Sequence, residues 1–280
     1  MRIANLEGRA VLVNTDGTLG ADLAASSDGL FAADPALLYP RWGELVAWYD
    51  GWEPAWDLPL RPDALGCPSP RPRQIFAIGL NYAAHADETG LGRPDGLPPV
   101  FTKFASSLTG ADVVVDLPEG DVDWEVEVVA ILGSGGRDLA EADAWSAVAG
   151  LSVGQDLSER ARQLAGPAPQ FSLWKSFAGF SPVGPWLVTP DELDDPDDLR
   201  LSCTVNGEVV QDGRTRHLIS SIPHTIAELS RVVELYPGDV VFTGTPDGVG
   251  MGRTPPRYLS AGDVLVSRVE GIGEIRQVLR

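Results

Sequence analysis

The chain has 280 residues, 44% hydrophobic and 22% charged, so it can bury a core and is neither disordered nor fibrous. Its 40 acidic residues against 21 basic ones give a net charge of −19, which repels a polyanion and sets aside nucleic acid and anionic membranes as partners. The two cysteines, Cys67 and Cys203, exclude a disulfide framework, and without a signal-like N-terminus or a run of ~18 apolar residues the reading is a soluble cytoplasmic protein.

Arg9 to Asn14 predicts a strand, closed by the turn chemistry of Asp16-Gly17. Pro59, Pro62, Pro68, Pro70 and Pro72 predict a stiff connector without regular structure. A boundary near residue 70 follows, with residues 1–70 as a small N-terminal domain and 71–280 as a larger one; a proline-rich surface loop inside one domain is the alternative. Beyond it, β signals cover Gln74 to Gly79, Val113 to Asp116, Trp124 to Leu132, Leu201 to Val210 with Asn206-Gly207 as a hairpin turn, Asp239 to Thr243, and Asp263 to Val269. Helical spacing occurs at Leu139 to Val148 and at Thr225 to Leu235, where Ile226, Leu229, Val232 and Val233 share a face. The expected class is mostly β with a few helices (α+β). The acidic stretch Asp191 to Asp198 reads as a solvated loop with at most weak calcium binding.

Five segments carry chemistry. In Asn81-Tyr82-Ala83-Ala84-His85-Ala86-Asp87-Glu88, a helical turn makes His85 and Glu88 neighbours, so the carboxylate can orient the imidazole as a general base; surface pairs share this spacing. The following 89–99 stretch, with glycines at 90, 92 and 96 and prolines at 94, 98 and 99, suits a hinged loop. Strand alternation points Glu125 and Glu127 the same way, toward Val129 and Ile131, while Trp124, Val126 and Val128 line the other side. Two inward carboxylates need a cation between them; two outward ones are simply solvated. Asp156 follows an apolar run and is read as opening a helix, on one face with Arg160 and Gln163; it either caps that helix or completes an all-oxygen triad with the two glutamates. Lys103 and Lys175 are the only lysines among the 21 basic residues, which suggests that a compact ammonium is required there, Lys175 for oxyanion or enolate stabilisation. Phe242 to Gly250 is a glycine-rich loop without the Gly-Lys-Ser/Thr ending of a phosphate loop, whose amides and Thr245 hydroxyl could hold a small carboxylate. His224 is read as preceding its helix and as structural.

Taken together and in this order, Gly79 to Glu88, Trp124-Glu125-Val126-Glu127, Asp156-Leu157-Ser158-Glu159-Arg160, Lys175-Ser176-Phe177 with Ser181 to Pro185, and Phe242 to Pro246 resemble the fumarylacetoacetate hydrolase family. The resemblance spans about Gln74 to Gly250. It implies a mixed β-roll catalytic domain, usually dimeric, with magnesium (or manganese or calcium) on Glu125, Glu127 and Asp156. It implies His85 and Glu88 as a lid dyad, Lys175 as catalytic, and Tyr82, Lys103, Arg160, Gln163 and Thr245 as substrate contacts, with Lys103 near the entrance. Two departures stand out. Gln155 occupies a position that is commonly Asn, and Trp174 precedes the lysine where a small residue is usual, with Ala178 in place of Asp; a narrowed or reshaped pocket is expected.

The functional expectation is a metal-dependent hydrolase that cleaves a carbon–carbon bond in an acylpyruvate or 1,3-diketo acid. Decarboxylation or isomerisation of a 2-oxo acid on the same enolate chemistry is the near rival. A non-catalytic β module stabilised by an ion is the rival of another class.

Overall fold

Val126 to Leu132 is apolar at every position except Glu127, and it forms a strand with no exposed member. A strand buried on both faces belongs inside a sheet, and the computed structural model, which describes residues 1–90 and 92–280, places it there. The larger sheet has twelve strands. Its order is Leu58–Pro59, Leu19–Asp22, Arg9–Val13, Arg2–Leu6, Ser181–Val188, Val148–Gln155, Val126–Leu132, Val240–Phe242, Ile75–Ile78 and Val100–Thr102, with Leu65–Gly66 and Leu108–Thr109 paired off this path. The sheet is mixed: Val240–Phe242 runs antiparallel to the central strand and parallel to Ile75–Ile78.

Alternation along the central strand separates two cores. Val126, Val128, Ala130 and Leu132 face one with Trp124, while Val129 and Ile131 face another with Phe242 and Val183. A five-stranded sheet, Glu208–Arg214, Arg200–Val205, Val264–Val269, Gly273–Leu279 and Asp112–Val115, covers the first face and sends Leu201, Cys203, Leu265 and Ile275 into that core. Val122–Asp123 pairs separately with Ser158–Glu159. The mostly β class is therefore observed, and Asn206 and Gly207, at φ of 53° and 83°, make the two-residue hairpin turn.

Several elements differ from expectation for identifiable reasons. The 225–235 helix runs instead over Ile222–Val232, because Ser221 caps it and Pro223 fits a first turn; His224 thus lies inside the helix and pairs with Glu141 at the surface, 2.8 Å away. The 139–148 helix is only a 3₁₀ turn, Glu141–Asp143, and one turn at Ala144–Ala147 before the chain becomes a strand at Val148. The proline-rich connector is not featureless: it holds the 3₁₀ turn Pro62–Ala64 and the short strand Leu65–Gly66, paired with Asn5 and Leu6. Strand Ser181–Val188 was not expected, since Pro182 and Pro185 argue against a central strand; its pairing with Val148–Gln155 shifts register around Pro185. In the acidic stretch, Asp198 is already engaged by Arg214 and Arg216. Within the expected 89–99 loop, Leu91 lies outside the described residues. Among the described residues no helix is long and apolar enough to cross a membrane.

Gly154 lies directly opposite Glu127 in the ladder, and a Cβ there would stand 2.4 Å from Val129 Cγ2 and 2.9 Å from Phe242 Cε1. Gly154→Ala should lower unfolding free energy by about 1–3 kcal/mol, as overpacked cores do. Gly43→Ala, in the Trp42–Tyr49 helix with open space around it, should raise it by about 0.5–1 kcal/mol. Urea melts of the two variants check both signs.

Candidate active site

Two neighbouring strand ends assemble three carboxylates. Glu127 lies in the central strand, Glu125 sits just before it, and Asp156 directly follows the adjacent strand Val148–Gln155. The backbone ties them together: the Asp156 N–H donates to the Glu125 carbonyl at 2.9 Å, and the Glu125 N–H donates to the Gln155 side-chain oxygen at 2.9 Å. Gln155 also donates to the Ser267 hydroxyl at 2.8 Å, so it props the Glu125 backbone against the second sheet and does not shape the pocket. Asp156 does not start a helix; the next turn is Arg160–Gln163, capped by the Glu159 carboxylate. Even so, Glu125, Glu127 and Asp156, all buried, bring one oxygen each to within 4.8 Å of one another.

Three cations answer these charges. The Lys175 ammonium donates to Glu125 Oε2 and Asp156 Oδ2, both at 2.7 Å, and the Lys103 ammonium reaches Asp156 Oδ1 and the carbonyls of Lys175 and Phe180. Both lysines of the chain therefore converge on one aspartate. Arg160 donates through Nη2 to Glu125 Oε1 at 2.6 Å and through Nη1 to Gln163 Oε1 at 3.1 Å. Burial works against the charge of Glu125, but Lys175 and Arg160 outweigh it and hold the carboxyl well below its usual range. Burial likewise opposes the Lys175 charge, which Asp156 and Glu125 restore and raise. Burial pulls the Lys103 ammonium down, with Asp156 opposing.

Glu127 is the exception. Among the described residues its carboxylate makes no salt bridge and takes one hydrogen bond, from the Gly244 N–H at 2.7 Å. Burial, then Asp156 and Glu125, push its carboxyl well above the ordinary value. A buried all-oxygen set with one uncompensated carboxylate fits a hard divalent cation, which would supply the missing positive charge.

The second group comes from the Ala83–Thr89 helix, where His85 Nδ1 and Glu88 Oε1 are 2.9 Å apart. The helix is pinned at its start by Asn81, whose amide donates to the Thr243 and Ser220 carbonyls at 2.7 and 2.9 Å, and Leu80 takes the left-handed φ of 57° that turns the chain into it. Gly244, at φ 106°, must lack a side chain, because a Cβ would stand 2.6 Å from that of Asn81. Glu88 in turn accepts from the Gly248 N–H at 2.9 Å. The glycine-rich loop thus holds the protein's own carboxylates, Glu127 and Glu88, where a substrate carboxylate was expected. The Thr245 hydroxyl is likewise occupied: it donates to the Val126 carbonyl and accepts from Gln211.

His85, Glu125, Arg160, Gln163, Lys175 and Thr245 line one small cavity, ≈ 30 Å³, whose apolar wall includes Phe101, Phe171 and Met251. Phe101 and Phe171 meet edge to face at 5.5 Å, and the Lys175 ammonium lies 5.0 Å from the Phe101 ring centre. Trp174 is not in this wall; it packs on Phe177 and carries the Arg162 guanidinium over its ring, so the aromatic departure beside Lys175 points away from the cavity. Lys103 is buried under Asp156 and not at an entrance. Tyr82 is buried, and its hydroxyl has no partner among the described residues; burial and the Glu127 charge raise its pKa. It borders a neighbouring groove with Arg200, His217 and Pro246. Sequence reasoning passed over Asp123, which is buried and hydrogen-bonds Arg160 Nε at 2.9 Å; its period-two spacing from Glu125 and Glu127 was the available signal.

Residues 74–280 match the family model of the fumarylacetoacetate hydrolase C-terminal domain. The chain is 41% identical to human mitochondrial oxaloacetate tautomerase FAHD2A over 210 residues, 74% of this chain and 67% of that protein. A crystal structure from Mycobacterium smegmatis, whose HpcE designation is itself provisional, superposes with a TM-score of 0.95 at 54% identity, covering 100% of this chain and 99% of that one. Maleylpyruvate hydrolase from Sphingobium sp. SYK-6, solved with manganese(II) and pyruvate, gives a TM-score of 0.76 at 31% identity over 100% and 99% of the two chains.

A carboxyl whose pKa rises on folding contributes stability fully below its unfolded value of 4.5 and loses it as pH rises through the folded value. Metal-stripped wild-type protein should therefore weaken relative to Glu127→Gln as pH rises from the unfolded value through the raised folded one, melting about 2–4 °C lower per kcal/mol of difference. Parallel melting curves for the two proteins across that range would contradict the assignment of Glu127 as the uncompensated charge.

Proposed function

Because the chain belongs to the fumarylacetoacetate hydrolase family, we propose that it is a divalent-metal-dependent enzyme acting on short 2-oxo or 1,3-diketo acids, hydrolysing a carbon–carbon bond of an acylpyruvate-type substrate. The observation that carries this reading is that Glu125 of the buried triad, His85 of the His85–Glu88 pair and Lys175, which bonds both Glu125 and Asp156, line the same small cavity. Glu125, Glu127 and Asp156 would hold the ion, magnesium or manganese. Bound there, it would polarise the carboxylate and adjacent keto oxygen of the substrate.

The residues of the chain supply the remaining steps. Glu88 holds the His85 imidazole in one orientation, so that its other nitrogen takes a proton from water as the water attacks the distal carbonyl. The carbon–carbon bond then breaks with its electron pair moving into the 2-oxo fragment, where the Lys175 ammonium stabilises the negative charge. His85 returns its proton to that fragment. Arg160 and Gln163 orient the substrate, and the wall of Phe101, Phe171 and Met251 limits water to the attacking molecule. The reading takes residues 71–280 as the catalytic unit and 1–70 as an N-terminal element that adds strands to the same sheet, in a cytoplasmic homodimer.

A second reading has a specific observation in its favour: a relative at 41% identity is named an oxaloacetate tautomerase. In that case His85 moves a proton between carbon and oxygen of the substrate without admitting water. Product analysis by NMR separates the two. Acylpyruvate split into two acids, dependent on magnesium or manganese, supports the hydrolase, and accelerated keto–enol exchange of oxaloacetate without cleavage supports the tautomerase. Inactivity on both classes with metal bound sinks both.

His85→Ala should lower kcat by ~10²–10⁴-fold while leaving metal affinity near wild type. Glu127→Ala should lose metal binding and activity together. Titration calorimetry with manganese beside steady-state kinetics checks the contrast; equal metal loss in the two variants contradicts the roles assigned.

A further inference from the structure

Asp123 is fully buried and does not line the cavity, yet its carboxylate takes four hydrogen bonds. Oδ1 accepts from the N–H groups of Trp124 at 2.8 Å and Gly250 at 2.6 Å; Oδ2 accepts from Arg160 Nε at 2.9 Å and the Met251 N–H at 3.1 Å. Four donors saturate a carboxylate, so no lone pair is left for an ion. The contacts lead in two directions. Through Arg160 they reach Glu125 and Gln163, and a guanidinium is a rigid planar fork, so holding Nε sets where Nη1 and Nη2 point. Through the backbone they reach the segment on which Glu88 rests.

That segment is grasped by two carboxylates. Glu88 accepts from Gly248 at 2.9 Å, and Gly252 lets it approach, since a Cβ there would stand 2.8 Å from Glu88 Oε2. Asp123 accepts from Gly250 and Met251, and the Trp124 indole donates to the Gly248 carbonyl at 3.2 Å. Met251 itself reaches the cavity wall. The path from the Ala83–Thr89 helix to Glu125 therefore runs Glu88, backbone 248–251, Asp123, Arg160, Glu125, each step a hydrogen bond or a peptide unit.

We infer that Asp123 is a positioning residue that couples docking of the Ala83–Thr89 helix to the placement of Glu125, through backbone 248–251 on one side and Arg160 on the other. The inference rests on the site reading proposed above. All four of its partners are donors, so only an acceptor-only side chain serves; an amide would set its NH₂ against at least one N–H or the guanidinium. Coupling of this kind is reciprocal, so loosening the helix contact must loosen Asp123's end of the segment as well.

Backbone hydrogen exchange on the full-length protein, metal-stripped and with added magnesium, tests this without needing a substrate. Asp123→Asn should speed exchange at both 248–251 and 83–89 by about tenfold or more, the equivalent of one lost charge-assisted hydrogen bond, and leave Val126–Leu132 unchanged. Glu88→Gln should speed exchange at Gly250 and Met251, and it decides the matter alone if Asp123→Asn does not fold. With an active substrate in hand, Asp123→Asn should lower kcat by ~10²-fold with little change in KM, and the double variant should lose less than the product of the single losses. Loss confined to residues 250–251, faster exchange throughout the central strand, or unchanged Gly250 and Met251 in Glu88→Gln each overturns the coupling. Failure to find a substrate would instead count against the proposed function, leaving the exchange result standing.

Discussion

Four carboxylates, Asp123, Glu125, Glu127 and Asp156, are buried within one region, and a buried charge is tolerated only when paired and hydrogen-bonded. Lys103, Lys175 and Arg160 answer three of them, through contacts that share Asp156 and Glu125 between cations. Glu127 is left with a single backbone donor, and its raised pKa reflects that imbalance. Removing Arg160 would leave Asp123 without a cation, and removing either lysine would leave Asp156 with one cation in place of two, which is why this cluster constrains the surrounding fold.

The division of labour among the cations follows from their shapes. Each lysine presents a compact ammonium, and Asp156 can take one on each oxygen. Arg160 spans farther and touches Asp123, Glu125 and Gln163 with three different nitrogens, which a point charge cannot do. In a chain where arginine is otherwise the rule, the two lysines fall where two cations must share one small carboxylate.

The loop from Gly244 to Met251 is the second organising element. Its backbone N–H groups serve three acids: Gly244 serves Glu127, Gly248 serves Glu88, and Gly250 with Met251 serves Asp123. Gly244 and Gly248 lie at φ of 106° and 102°, which turns successive N–H groups toward different partners. One stretch of main chain thus registers the triad, the dyad and the guanidinium against one another, and a displacement of it would be felt by all three.

Much of this was legible in the chain itself. The period-two spacing of Glu125 and Glu127, the i, i+3 spacing of His85 and Glu88, and the rarity of lysine are local or compositional signals, and strand and helix geometry convert them directly into shared faces. The family resemblance rests on the same local motifs. What the tertiary structure decided were matters of long-range packing: that Ser181–Val188 is a central strand despite two prolines, that Trp174 turns away from the cavity while Phe101 and Phe171 wall it, that Lys103 lies beneath Asp156, and that Gln155 reaches Ser267. Asp123 shows the limit most plainly. Its spacing marks it as inward, but apart from the adjacent Trp124 N–H its donors come from Arg160 and residues 250–251, and only folding brings groups so distant in sequence to one carboxylate.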